Sequence, residues 1–272
     1  MTPSPGLLAV IAGTGFTRLA PLAEPRPIEL VTAFGSVPAT AGTWHGRGTL
    51  FVPRHGPGHV VPPHRINYRA VIAGLRQAGV TEVLAVNVVG GIGPEPGDLV
   101  IVDDFLDFTR GRPATFFDGG AGFDGGAGFD GGAGFDGGAG AVSPGVVHTD
   151  MSAPYDPTLR EHLRTAARDL QIAVIDGGVY ACFEGPRFES RAEIAMAAAA
   201  GATVVGMTGV PEVVLAGELG LPYAALCLVA NPAAGRSAVP ISMSEVTAVV
   251  AAGSERVLAV LGATAARLVT RS

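Results

Sequence analysis

The feature that most constrains the fold is a series of short apolar, β-branched runs, each stopped at its carboxyl end by glycine, proline or a polar residue. "LLAVIAG" (7–13), "TLFVPR" (49–54), "EVLAVNVV" (82–89), "DLVIVDDFL" (98–106), "VYACFE" (179–184), "TVVGM" (203–207) and "YAALCLVA" (223–230) read as strands. Between them, segments near 67–79, 157–170, 189–200, 210–219 and 242–268 carry the helical period. Strands this apolar along their length suit a sheet covered on both faces, so the alternation predicts an α/β domain around a mostly buried sheet. Asp156 followed by Pro157 marks a helix start, and Ser242 with Glu245 has capping-box spacing. No linker divides the chain, so residues 1–272 are expected to form a single domain.

Composition excludes several functions. The chain contains no lysine, so its basic side chains are Arg and His alone. A P-loop places a lysine on the nucleotide phosphates, and pyridoxal and other Schiff-base enzymes need a lysine amine, so these chemistries are ruled out. A formal net charge of -6, from 24 acidic and 18 basic residues, offers no broad attraction to nucleic acid or to an anionic membrane surface. "MTPSPGLLAVIAGTGF" has no basic leader before its short apolar run, and no apolar stretch of about 18 residues runs uninterrupted, so a cytoplasmic protein is expected. Cys182 and Cys227 lie inside strand-like runs and read as buried free thiols.

One segment breaks the pattern. "FDGGAG" recurs in four tandem copies over 117–140. Its six-residue period differs from the nine-residue period of calcium-binding Asp/Gly coils, and a low-complexity surface loop is the reading that composition supports.

The ends of the strands carry the chemistry. "IAGTGF" (11–16) has the first two glycines of a dinucleotide fingerprint but Arg18 where the third belongs, leaving a tight turn that offers backbone N–H groups and the Thr14 hydroxyl to a small anion. "PRHGPGH" (53–59) supplies Arg54 and His55, either a single-phosphate site or a structural ion pair. Nearby His59 and His64 lack acidic or thiol partners at metal-ligand spacing, so no metal is expected. "NVVGGIGPEPGD" (87–98) opens a strand into glycines that let a flat ligand approach backbone. In "YACFEGPRFESRAE" (180–193), Phe188 and Glu189 set an aromatic face beside a carboxylate where a strand gives way to a helix. That is suited to stacking on a heterocycle and accepting from its ring N–H, or to a carboxylate in a first helical turn. Met207 and Thr208 in "GMTGVPEVVLAGELG" (206–220) read alone as a core residue and a cap. "CLVANPAAG" (227–235) presents Asn231 where a buried strand stops.

Taken in order, "GTGF", "RHG" with "HRINYRA", "NVVGGI" with "PGDLVIVDDF", "VVHTDMSAPYD", "EGPRFESRAE", "GMTGVPEVVLA" and "VANPAAG" resemble the trimeric purine nucleoside phosphorylase family, in the branch of methylthioadenosine and methylthioinosine phosphorylases. The likeness covers nearly the whole chain and departs plainly only at the hexamer tract. It implies a twisted mixed sheet flanked by helices, a homotrimer, and phosphorolysis of a purine nucleoside without metal or cofactor, inorganic phosphate being a co-substrate.

By that resemblance Thr14, Arg54, His55, the backbone at Val89, and Thr208 hold phosphate, Met207 lies against the ribose, and Phe188 against sugar and base. Asn231 donates toward purine N7 and Glu189 accepts from N1–H. Members of the branch that prefer adenine carry aspartate in place of Asn231 and serine in place of Glu189, so the Asn–Glu pair implies a 6-oxopurine. A mismatched donor pattern leaves buried polar groups unpaired at about 1–3 kcal/mol each. Met243, with Val246 and Thr247 one turn on, occupies the place where relatives acting on inosine carry a histidine for the 5′-hydroxyl, which implies a methylthio sugar. His148 is implied to approach this end from a neighbouring subunit.

Overall fold

A computed structural model describes residues 6–16, 22–118 and 147–269. Most of the hexamer tract and Arg18 lie outside the described residues.

The chain builds an eleven-stranded mixed sheet. Its centre is β1 (Leu7–Ala12), β5 (Val80–Gly91) and β11 (Tyr223–Pro232), all parallel, with β5 in the middle. Side chains alternate strictly between two cores. On β11, Tyr223, Ala225, Cys227 and Val229 face a core shared with α1 (Tyr68–Gln77) and α4 (Gly209–Glu218). Ala224, Leu226, Leu228 and Ala230 face a second core with α2 (Pro157–Asp169) and α5 (Met243–Val269). Burial on both faces is why these runs are apolar at nearly every position, and each fully buried Leu, Val or Ile contributes about 1.5–3 kcal/mol.

α5 is long and apolar enough to cross a membrane by length and composition, but Val250, Val257 and Leu261 bury against the sheet and α2. α2 starts as the sequence predicts, with Asp156 Oδ1 accepting the Leu159 N–H at 2.8 Å and Pro157 in the first turn. At α5 the Ser242 hydroxyl pairs with Ser244 Oγ at 2.7 Å. The capping box forms at α3 (Arg191–Ala199), between Ser190 and Glu193.

The structure differs from the sequence reading in two places. β2 (Ala23–Thr32) and β3 (Gly35–Trp44) form a hairpin that joins the sheet through β4 (Arg47–Pro53). The predicted strand over 98–106 is two strands, β6 (Leu99–Ile101) against β11 and β7 (Asp104–Phe108) against β9 (Val179–Phe183). Between them Asp103 turns the chain, its carboxylate accepting the Gly178 N–H at 2.8 Å and its N–H donating to Gly178 O. Two-residue β8 (Ile175–Asp176) pairs with β6.

One irregularity positions the site. β1 accompanies β5 only as far as Val86, and at Gly90–Gly91 the flank of β5 is taken instead by antiparallel β10 (Ala202–Gly206). The sheet therefore forks. The carboxyl ends of β1, β4, β5, β10 and β11 converge on the gap, the crevice at a switch of partners where α/β sheets bind ligands.

Candidate active site

The fork opens into a cavity of about 490 Å³. It brings together Thr14, Arg54, His55, Val89 and Thr208 with Phe188, Glu189, Met207, Asn231, Met243 and Val246, residues that lie far apart in sequence. His148 is exposed and does not line it.

One part of the lining is carried by the Arg54 guanidinium and the His55 imidazole. Arg54 donates through Nε and Nη2 to the two carboxylate oxygens of Glu212 at 2.8 Å each, and through Nη1 to Val86 O at 2.9 Å. Tyr223 donates its hydroxyl to the same carboxylate at 2.7 Å. Burial alone would lower the Arg54 pKa, but the Glu212 charge outweighs it, so the guanidinium stays charged. Arg54 is thus a buried ion pair, the second of its two readings, and it also lines the cavity.

His55 sits beside it, its Nδ1 2.8 Å from Val61 O. Only a protonated Nδ1 can bond a carbonyl, which leaves Nε2 as the acceptor in the neutral ring. Burial, with Arg54 and His59 adding like charge, pushes the imidazole down to about 4, so the ring is neutral near pH 7. Gly13 closes this end: a Cβ there would sit 3.1 Å from His55 Cδ2 and 3.3 Å from Arg54 Nη1. Thr14 Oγ1 lies 3.5 Å from His59 Nε2.

Thr208 occupies the N-cap position of α4 yet makes no side-chain cap bond, and its hydroxyl reaches Asn87 Oδ1 at 3.3 Å. Its backbone N–H and that of Gly209 both point to the Tyr180 hydroxyl at 3.2 Å. Tyr180 thereby satisfies two amides that a helix start leaves open.

Phe188, Glu189, Asn231, Met243 and Val246 also line the cavity. Glu189 precedes the Ser190 cap, so the first-turn alternative for its carboxylate does not apply. The side chain is buried, its Oε1 has no hydrogen-bond partner, and burial raises its pKa. The arm carrying it is fixed by Arg187, which clasps Glu193 through Nη1 and Nη2 at 2.8 and 2.7 Å, and by the capping box. Asn231 Nδ2 donates to Pro232 O at 2.8 Å, keeping one further N–H and the Oδ1 acceptor of the amide. Phe188 and Met243 are exposed at the rim and Val246 is buried below.

Glu212, Asn87, Gly13 and Tyr180 escaped the sequence reading as individual site residues. Glu212 was hidden in a helix whose only other charged residue is its last, Glu218, although a glutamate inside such an apolar run is a signal that a buried cation awaits it. Both cysteines are buried, and burial pushes each thiol up to about 12, which keeps them protonated. Among the described residues, no three His, Cys, Asp or Glu side chains gather as a cation site.

The cavity at the fork gathers Arg54 and His55 with the Asn231 amide and the Glu189 carboxylate, and residues 7–266 match the phosphorylase superfamily, to which the chain belongs. It is 45% identical over 241 residues to a probable 6-oxopurine nucleoside phosphorylase of Moorella thermoacetica, covering 88% of this chain and 84% of that protein. Over 244 residues it is 42% identical to a probable S-methyl-5'-thioinosine phosphorylase of Methanothermobacter thermautotrophicus, covering 88% and 76%. The fold matches methylthioadenosine phosphorylase from Schistosoma mansoni in complex with adenine with a TM-score of 0.83, at 28% identity over 97% of this chain and 92% of that one.

Proposed function

We propose that the protein is a purine nucleoside phosphorylase, a pentosyltransferase that cleaves 6-oxopurine nucleosides with inorganic phosphate, and that S-methyl-5'-thioinosine is its preferred substrate. The observation that carries this reading is Glu189: a buried carboxylate with an unpartnered oxygen, sharing a cavity with the Asn231 amide. A purine N1–H satisfies that oxygen, and the N1–H exists only when position 6 bears a ketone, because adenine N1 is an acceptor.

In this reading Thr14, Arg54, His55, the Val89 backbone and Thr208 hold phosphate. Glu212 already balances the Arg54 charge, so phosphate meets directed N–H and O–H donors rather than a surplus cation. Its nucleophilic oxygens are oriented without being quenched. The His55 Nε2 lone pair accepts the O–H that HPO₄²⁻ retains. A phosphate oxygen then bonds to C1′ as the C1′–N9 bond breaks, and the electron pair passes into the purine ring. The fixed anion stabilises the oxocarbenium-like sugar while Asn231 donates to N7 of the leaving base. The proton carried by phosphate balances the charge released on the base, giving neutral hypoxanthine and a sugar 1-phosphate dianion.

Met207 lies against the ribose, Phe188 covers sugar and base, and apolar Met243 and Val246 receive the 5′-methylthio group. Exposed Val60, Phe188 and Met243 at the cavity mouth support a homotrimer in which a neighbour covers this rim and contributes His148. The setting we infer is cytoplasmic purine salvage. The similarity to a 6-oxopurine nucleoside phosphorylase at 45% identity favours a second reading, an enzyme for inosine and guanosine.

The test is phosphate-dependent cleavage of methylthioinosine, inosine, methylthioadenosine and adenosine under identical conditions. Methylthioinosine is expected to give the highest kcat/KM. Equal or better turnover of methylthioadenosine overturns the base assignment, and preference for inosine replaces the sugar assignment with the second reading.

A further inference from the structure

Arg112 lies outside the cavity lining, in the loop after β7, and nothing in the sequence pattern around it marks a function. Its side chain is 2% exposed. Nε donates to Glu184 Oε2 at 3.1 Å, and Nη2 to the carbonyls of Glu184 at 2.7 Å and Phe183 at 3.3 Å. Nη1 lies 2.9 Å from both Met207 O and Val210 O and 3.1 Å from the Tyr68 hydroxyl.

The carbonyl acceptors share one property: they are main-chain groups where regular structure stops. Phe183 ends β9 and Glu184 follows it, just before Gly185 and Pro186, and Met207 and Val210 span the irregular start of α4. Buried carbonyls with no ladder partner need a donor, and a guanidinium can serve several at once. A lysine, with three donors around one nitrogen, cannot span them.

The two segments held this way both line the cavity. One contributes Pro186, Phe188 and Glu189; the other contributes Met207 and Thr208. They also touch directly. Gly185 has φ of 63°, and a Cβ on it would sit 2.6 Å from Met207 Sδ.

We infer that Arg112 is a positioning residue that sets the spacing between the base-reading arm and the sugar shelf, and thereby governs nucleoside recognition without touching substrate. The inference rests on the functional reading above for the roles of Glu189 and Met207. Phosphate is spared because its contacts depend on other supports: Glu212 holds Arg54, Val61 holds His55, and Tyr180 holds the Thr208 amide.

Arg112→Lys, checked for folding by circular dichroism and melting temperature, is compared with the unaltered protein. The nucleoside KM should rise about tenfold while the phosphate KM stays within about twofold. Without substrate, amide hydrogen exchange should quicken together in 184–190 and at Met207 and Val210, with 53–61 and the Thr208 and Gly209 amides held by Tyr180 unchanged. Equal rises in both KM values, or faster exchange in one segment alone, overturn the inference. Should Arg112→Lys fail to fold, Gly185→Ala probes the same spacing from the contact with Met207. It should raise the nucleoside KM selectively, and an unaltered nucleoside KM there counts against the inference. Exchange is read in the absence of turnover, so a protein that cleaves no nucleoside sinks the functional reading and leaves the paired exchange to decide this one.

Discussion

Glu212 grips Arg54 through both carboxylate oxygens at 2.8 Å, and the two side chains are 0% and 1% exposed. Removing one member of such a pair leaves an uncompensated buried charge. Glu212→Ala is therefore expected to cost about 3–5 kcal/mol in denaturant unfolding, and Tyr223→Phe only about 1 kcal/mol. Losses of the same size in both would show that the ion pair is not the main term.

Under the proposed function, Gly13 leaves room for a phosphate oxygen beside Arg54 and His55. Gly13→Ala places a methyl 3.1–3.3 Å from His55 and Arg54, tight enough to need only a few tenths of an ångström of adjustment in the protein but enough to fill the cradle. Phosphate KM should rise about tenfold or more with the melting temperature little changed. Unchanged phosphate affinity in steady-state kinetics would place the anion elsewhere.

His55 makes stability depend on pH. Its pKa is about 4 in the folded protein against an ordinary 6.5, so between these values the unfolded chain binds the extra proton. Stability from this group is complete above pH 6.5 and falls as pH drops toward 4, by up to about 1.4 kcal/mol per unit. Melting curves at pH 7 and pH 5 should show a smaller loss in His55→Asn than in the parent. An equal loss in both would assign the acid sensitivity to other groups.

Base choice is the fourth test. Glu189→Ser combined with Asn231→Asp replaces the pair proposed to face N1 and N7, and the ratio of kcat/KM for methylthioadenosine over methylthioinosine should rise at least about tenfold. A ratio that does not move removes both residues from base recognition.

The central strands were legible because burial on both faces leaves only apolar residues at Leu8–Ile11, Val83–Val86 and Ala224–Val229, a signal no helix start or turn interrupts. The β2–β3 hairpin gave no such signal. β2 lies at the sheet edge, is mostly exposed, and contains Pro25 and Pro27, which only an edge tolerates. The run over 98–106 misled for the opposite reason, because β6 and β7 are both apolar enough to read as one strand although they pair with different neighbours. At the site, residues presented at strand ends, such as Asn231 and Thr208, were visible next to the glycines and prolines that break the chain. Arg112 was not, because its acceptors are main-chain carbonyls, and those leave no mark on a sequence.

The fork at Gly90–Gly91 has a wider consequence. A side chain on Gly91 would strike the Pro94 carbonyl, and one on Gly90 would press on Val205 at 3.1 Å, so the hollow is shaped by polypeptide geometry rather than by the residues facing it. If Phe188, Met243 and Asn231 meet the nucleoside as proposed, substitutions there retune what enters without closing the chamber. A lineage can thus exchange one nucleoside for another while the scaffold beneath stays untouched.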